Sequence, residues 1–194
     1  YGLDPLRYYL IKEVSFGNDG NISKDKLEDC INSDLANNYG NLCQRVTAFA
    51  EKNCSLKVPE IKDFNEEDLA ILDKFKNNLQ KIRQEIDKQN INFYIDFIVN
   101  ALFDANKYFN DQEPWKKKDD RDRLNTIVYT ALEMIRKISF MLYPIIPESV
   151  AKALKIFNLN SKDIILETIS SHRYLKSGTD LNKIDILFKK VEKK

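Results

Sequence analysis

The chain has 194 residues, enough to bury one sizeable core as a main domain or as a domain with a small appendage. Acids and bases nearly cancel to a formal net charge of +1, so no global field marks a nucleic-acid or membrane partner, and any such binding must come from a local patch. Three cysteines (Cys30, Cys43 and Cys54) without CxxC spacing, beside a single histidine, argue against a zinc site and for reduced thiols.

No apolar run approaches the roughly 20 residues of a membrane span, and no signal peptide leads the chain, so a soluble, cytoplasmic protein is expected. The chain opens on Tyr1 rather than methionine, as expected of a piece of a longer polypeptide.

Asp4 and Pro5 read as the cap and first turn of a helix running through LRYYLIKEV. The stretch 16–22, FGNDGNI, breaks it with two glycines, two asparagines and an aspartate. Ser23 is placed to cap the next helix, which leads through Leu27 and Ile31, with a bend near Asn32 and Ser33, into 34–50, DLANNYGNLCQRVTAFA. There Leu35, Tyr39, Leu42, Val46, Phe49 and Ala50 recur at helical spacing, and the rest of the chain is expected to be organised around this segment. Asn38, Asn41 and Arg45 form a second stripe, rotated about 100° from the apolar one, at the rim of the core. Asn41 and Arg45, at i and i+4, emerge side by side about 6 Å apart along the axis. Gly40 costs this helix about 1 kcal/mol relative to alanine, which suggests that something approaches the backbone there.

Pro59 ends the following connection, and Asn65 with Glu66, Glu67 and Asp68 reads as a helix start with acids at the positive end of the dipole. Leu69, Leu72, Phe75, Leu79, Ile82 and Ile86 keep an apolar stripe along a long helix. The stretch 91–109 is richer in aromatics on a wide face, as befits a helix with several neighbours. Leu124, Ile127, Val128, Ala131, Ile135, Ile138 and Leu142 mark another long helix, stopped by Pro144 and Pro147. Pro147 and Glu148 begin a shorter helix through Phe157. Beyond it the pattern weakens, and Ile184, Ile186 and Phe188 suggest an extended arm. Short connections between long striped helices argue an all-α antiparallel helix bundle with an irregular C-terminal arm. The expected division is a connecting segment 1–22, a bundle 23–158 and an arm 159–194.

Little in the chain is suited to catalysis: the sequence has no Gly-rich phosphate loop, no paired carboxylates in a recognisable setting and no nucleophile beside a histidine. His172, in a polar stretch, reads as solvated or locally hydrogen-bonded. The acids at 66–68 and 119–122 read as helix-start charges rather than metal ligands.

The stretch 113–123, EPWKKKDDRDR, offers more. Trp115, the only tryptophan, precedes Lys116, Lys117 and Lys118, with Arg121 and Arg123 close behind. An indole can stack on an unpaired base while lysines contact phosphates, and such stacking is worth about 1 to 3 kcal/mol per base. Equally, Trp115 can tuck against the bundle end above a solvated helix entry, and Asn41 with Arg45 can be an ordinary rim pair.

DPLRYYL, FGNDGNIS, NSDLANNYGNLCQRV and EPWKKK together resemble the C-terminal part of bacterial methionyl-tRNA synthetases, class I aminoacyl-tRNA synthetases, across nearly the whole chain. The isoleucine, valine, leucine and cysteine enzymes share the helical anticodon domain, while the LANxxGNLxxR string with a later PW is the methionine pattern. The resemblance implies that Asn41 and Arg45 read the first anticodon base, a cytosine, and that Trp115 stacks on it, while the phosphate contacts of Lys116, Lys117 and Lys118 rest on the loop reading above. It implies that the segment 1–22 joins the bundle to an upstream catalytic domain in cis and touches the inner corner of the tRNA. The ending IDILFKKVE resembles a family ending that folds back toward that domain, although Lys189 stands where proline is usual.

The family's HIGH and KMSKS signatures, and any zinc knuckle, would lie upstream, so this segment is expected to be a monomeric binder of methionine tRNA. It would hold no catalytic residue, metal or cofactor, whereas the intact ligase would use ATP with magnesium. Other expectations kept open are the anticodon domain of another class I synthetase, or a helical bundle whose rim and Trp115 meet another protein, since tryptophan and arginine are also enriched in protein hot spots.

Overall fold

A computed structural model describes residues 1–15 and 17–192; Phe16, from the predicted turn, and Lys193 and Lys194, at the end of the arm, lie outside the described residues. Among the described residues, seven α-helices make an antiparallel bundle: α1 (Leu3–Glu13), α2 (Lys24–Cys30), α3 (Asn41–Cys54), α4 (Glu66–Asp87), α5 (Ile91–Asp111), α6 (Arg121–Leu142) and α7 (Pro147–Leu154). Among the described residues there is no strand, only an isolated bridge between Lys57 and Asp180.

Several starts are where the sequence puts them. Ser23 accepts from the Lys26 amide, Asn65 and Asp68 form a reciprocal capping box, and Asp120 accepts from the Arg123 amide. Asp4 departs from expectation. It lies inside α1, and its carboxylate accepts from the Ser149 amide at 2.6 Å, capping α7, whose own N-cap residue Ile146 supplies no side-chain bond. A buried aspartate thus joins the first helix to the last. Asp4→Ala is expected to cost about 0.5 to 2 kcal/mol, the usual range for losing a cap, read as a lower thermal midpoint. An unchanged midpoint would show that α7 holds without it.

The bundle is organised around α6 rather than around 34–50. Burial of all seventeen residues of the run 126–142 leaves α6 no solvent face beyond its first turn, because helices from both flanks pack on it. Its buried surface includes charge. Glu133 and Arg136 pair at 2.8 Å with both side chains fully buried. Glu133 also accepts from the Tyr174 and Leu175 amides, each at 2.7 Å, and Arg136 reaches the Thr168 carbonyl at 3.1 Å while its guanidinium lies 4.3 Å from the Tyr174 ring centroid. Lys137 donates to the Ile169 carbonyl, and burial together with the Arg136 charge lowers its ammonium to about 8. These three side chains fasten the otherwise irregular stretch from Thr168 to Leu175 onto α6.

The helix predicted over 34–50 lies within one continuous helical path from α2 to α3, joined by a π-helical stretch, Ile31–Gly40. The wider turn replaces the expected bend and changes the phase, since each residue of a π turn advances by less than the α-helical value of about 100°. Asn38 therefore leaves the outer stripe, and Asn106 of α5 donates to its backbone and side-chain oxygens at 3.4 Å.

What approaches Gly40 most closely is the Leu35 carbonyl oxygen of its own π-helical stretch, 3.1 Å from where a β-carbon would stand, with the arm in ordinary contact beyond it. Phe188 lies 3.8 Å from where a β-carbon on Gly40 would stand, and the Asn32 side chain exchanges two hydrogen bonds with the Val191 backbone, at 2.9 and 2.8 Å. Gln44 holds the Ile184 carbonyl at 3.1 Å. The arm thus runs back along the π-helical stretch and α3. Its expected alternation is only partly kept, because Phe188 is buried while Ile186 is exposed.

Candidate nucleic-acid interface

Arg45 leans from α3 toward the C-terminal end of α5. Its guanidinium donates to the Asn110 side-chain oxygen at 2.5 Å and sits 5.7 Å from the centroid of the Phe109 ring, within the range of cation–π attraction. One of its five N–H groups is taken by Asn110, so donors remain for a ligand. Asn41, one turn back, is exposed, and its side-chain amide makes no hydrogen bond among the described residues, while its backbone N–H donates to the Ala36 carbonyl.

Trp115 reaches the same place from another element. Glu113 adopts a left-handed conformation (φ 44°) that turns the chain out of α5, and Pro114 opens a single 3₁₀ turn, Pro114–Lys116, that lifts the indole. Its ring meets Phe109 edge to face, 6.4 Å between centroids, yet 42% of the residue stays exposed. Phe109 therefore touches both Arg45 and Trp115, which the sequence separates by 70 positions.

Of the cations near Trp115, Lys117 and Lys118 are exposed without an ionic partner among the described residues, while Lys116 pairs with Glu113 at 2.8 Å. Arg121 and Arg123, read from the sequence as part of the same patch, are both engaged by the protein itself, Arg121 from an exposed position and Arg123 from a half-buried one. Arg121 donates to the Asn53 carbonyl, and Arg123 bonds Asp68 at 2.6 Å and Gln112 at 2.5 Å. Because Gln112 precedes the loop and Arg123 follows it, this clamp closes the base of the Trp115 loop. Asp68, expected as a helix-start charge and placed in the capping box of α4, is fully buried and also accepts from the Tyr108 hydroxyl.

His172 stands apart from this rim, half-buried with Nε2 3.0 Å from Asp73 Oδ1 and its ring edge toward Phe64. The three cysteines are buried free thiols, and burial raises each of them. Sequence reasoning missed Phe109, Asn110 and Gln112. The aromatic face of α5 was visible, but no local pattern tells which of its rings ends beneath a site.

Two family models cover the chain. "tRNA synthetases class I (M)" matches residues 1–47 and "Anticodon binding domain of methionyl tRNA ligase" matches residues 58–194. The fold is that of a helical module of class I aminoacyl-tRNA synthetases. More narrowly, the chain belongs to the methionyl-tRNA ligase family, as its anticodon-binding domain.

Among curated relatives, the methionine–tRNA ligase of Brucella suis is 40% identical over 183 residues, 93% of this chain and 35% of the relative. That of Thermotoga maritima is 33% identical over 196 residues, all of this chain and 31% of the relative. The chain thus spans about a third of the length of the relatives it matches. The apo Mycobacterium tuberculosis methionyl-tRNA synthetase superposes with a TM-score of 0.91 at 32% identity, covering 98% of this chain and 39% of that one. The same enzyme in complex with methionyl-adenylate gives 0.88 at 33% identity, covering 95% of this chain and 37% of that one.

Proposed function

We propose that this chain binds the anticodon loop of methionine tRNA and that Asn41, Arg45 and Trp115 form the pocket for its first base. The observation that carries this reading is the convergence of Arg45 and Trp115 on Phe109, with the unpartnered Asn41 side-chain amide one turn away. A base splayed from the loop stacks on the exposed face of the indole. Its edge then meets an amide that both donates and accepts, and a guanidinium that only donates. Cytosine offers an amino donor and acceptors on that edge, so its groups can all be paired. Uracil exchanges the amino group for a carbonyl and a ring acceptor for an N–H, which leaves polar groups unpaired, and unpaired groups in a closed pocket are what sites reject most strongly. Lys117 and Lys118, with Lys116 when released from Glu113, supply phosphate contacts.

We infer a wider reading, which the likeness to full-length ligases supports. The chain acts in cis, as a monomer in the cytoplasm, with an upstream catalytic domain that ligates methionine to its tRNA using ATP and magnesium. Residues 1–22 serve as the connecting segment, 23–158 as the anticodon-binding bundle and 159–194 as the arm. No residue of this chain is assigned to ATP or metal.

Binding of stem-loops with CAU and UAU anticodons tests the pocket. The wild-type chain is expected to prefer CAU, Trp115→Ala to weaken binding by about 1 to 3 kcal/mol with modest change in preference, and Arg45→Ala to erase the preference. Neutralising Lys116, Lys117 and Lys118 should weaken both loops alike and flatten the salt dependence. Equal binding of both loops by the wild type, with no salt dependence, would overturn the reading in favour of a protein-binding rim.

A further inference from the structure

We propose that Phe109 is a positioning residue of this pocket, tying the orientation of the Trp115 indole to that of the Arg45 guanidinium so that stacking and edge reading act as one unit. The consequence for RNA rests on the pocket assignment above; the tie itself rests on contacts within the protein.

Phe109 is 2% exposed and carries three ring contacts. Trp115 meets it at 6.4 Å with planes inclined 72°, Phe49 at 5.8 Å and 86°, and the Arg45 guanidinium carbon lies 5.7 Å from its centroid. A benzyl ring has a negative face and a positive edge, so these contacts are orientation-dependent, and turning the ring to suit one partner disturbs the others.

Phe49 lies one turn beyond Arg45 on α3, so the element that carries the guanidinium also braces the ring behind it. Asn110, the next residue of α5, takes an N–H of the same guanidinium at 2.5 Å. Consecutive residues of α5 thus hold Arg45 through its π system and through a hydrogen bond. Without the ring, Arg45 keeps one anchor and can pivot about it. Trp115, mounted on a single 3₁₀ turn, loses the aromatic contact that fixes its inner edge.

Trp115 is the only tryptophan, so the chain's tryptophan emission reports the surroundings of this one indole. In the free chain, Arg45→Ala is expected to shift that emission to the red and to increase its quenching by acrylamide. Phe109→Met, which keeps bulk but removes the ring, should do the same, and adding Arg45→Ala to Phe109→Met should change nothing further. With stem-loops, Phe109→Met should reduce the preference for CAU over UAU roughly tenfold, the size expected from losing an aromatic pair and a cation–π contact together. Phe109→Tyr, which keeps the ring, should retain the preference.

Two results overturn the inference: Trp115 emission indifferent to Arg45→Ala, or Phe109→Met weakening both loops by the same factor while Arg45→Ala still shifts the emission in its background. Should Phe109→Met fail to fold, the emission of Arg45→Ala in the otherwise unchanged chain decides the tie by itself. A wild-type chain without preference between loops overturns the pocket assignment and, with it, the RNA consequence, while the emission experiment still decides whether the tie exists.

Discussion

Glu133→Ala is expected to lower unfolding stability by about 3 to 5 kcal/mol, measured from urea unfolding curves at neutral pH, because it strands a buried guanidinium. Glu133 and Arg136 are fully buried, and the carboxylate serves four donors: the Arg136 guanidinium, the Tyr174 and Leu175 amides and, at 3.4 Å, the Tyr129 hydroxyl. Removing the acid leaves each of them without this acceptor in a place water does not reach. Arg136 cannot relieve the penalty by losing its proton. The loss is expected to include release of residues 166–175, visible as faster amide exchange at Tyr174 and Leu175 than in the rest of the bundle. A loss below about 1 kcal/mol would mean that the pair is hydrated and that the arm is held mainly by apolar burial.

That ion pair also shows where the sequence stops being legible. Helix starts at Ser23, Asn65 and Asp120 could be read because a cap depends on residues within one turn. Gly40 marked a close approach because its cost had to be offset by something, though the sequence could not say that the Leu35 carbonyl would stand closest, with Phe188 beyond it. Glu133, Arg136 and Lys137, by contrast, look like an ordinary polar face of α6. Their burial follows from the arm folding over them, a contact 32 to 42 positions away in sequence.

The same distance problem governs the rim. Spacing alone put Asn41 beside Arg45, but it set Asn38 with them, and only the π-helical stretch shows why Asn38 turns toward Asn106 instead. Nothing local joined Trp115 to Arg45. That grouping came from the family resemblance, and the geometric link is Phe109, a residue indistinguishable by pattern from the other aromatics of α5. Arg121 and Arg123 illustrate the opposite error. Charge in a loop invites a reading as free surface patch, yet both guanidinium groups are taken by the protein's own acceptors, Arg121 at the surface and Arg123 in a half-buried clamp.

Arg123 leads to the second large effect. Asp68→Ala is expected to cost about 3 to 5 kcal/mol of stability and to loosen the Trp115 loop with it. The Asp68 carboxylate accepts from the Asn65 amide at 2.9 Å, from Arg123 at 2.6 Å and from the Tyr108 hydroxyl, and its side chain is fully buried. Alanine at this position leaves a guanidinium that is only 18% exposed without its counter-ion, breaks half of the capping box of α4 and frees Tyr108. Arg123 then retains Gln112, which itself bonds Glu67 at 2.5 Å, so the clamp across the loop loses its stronger half. The Trp115 emission should move to the red in the folded variant, below its unfolding transition, and affinity for a CAU stem-loop should fall more than that for the lysine contacts alone would allow. Asp68→Asn keeps an acceptor for Tyr108 but removes the charge facing Arg123, and is expected to fall between wild type and alanine in both readouts. If Asp68→Ala unfolds early while Trp115 emission and stem-loop binding in its folded state match wild type, the network supports the bundle without positioning the loop.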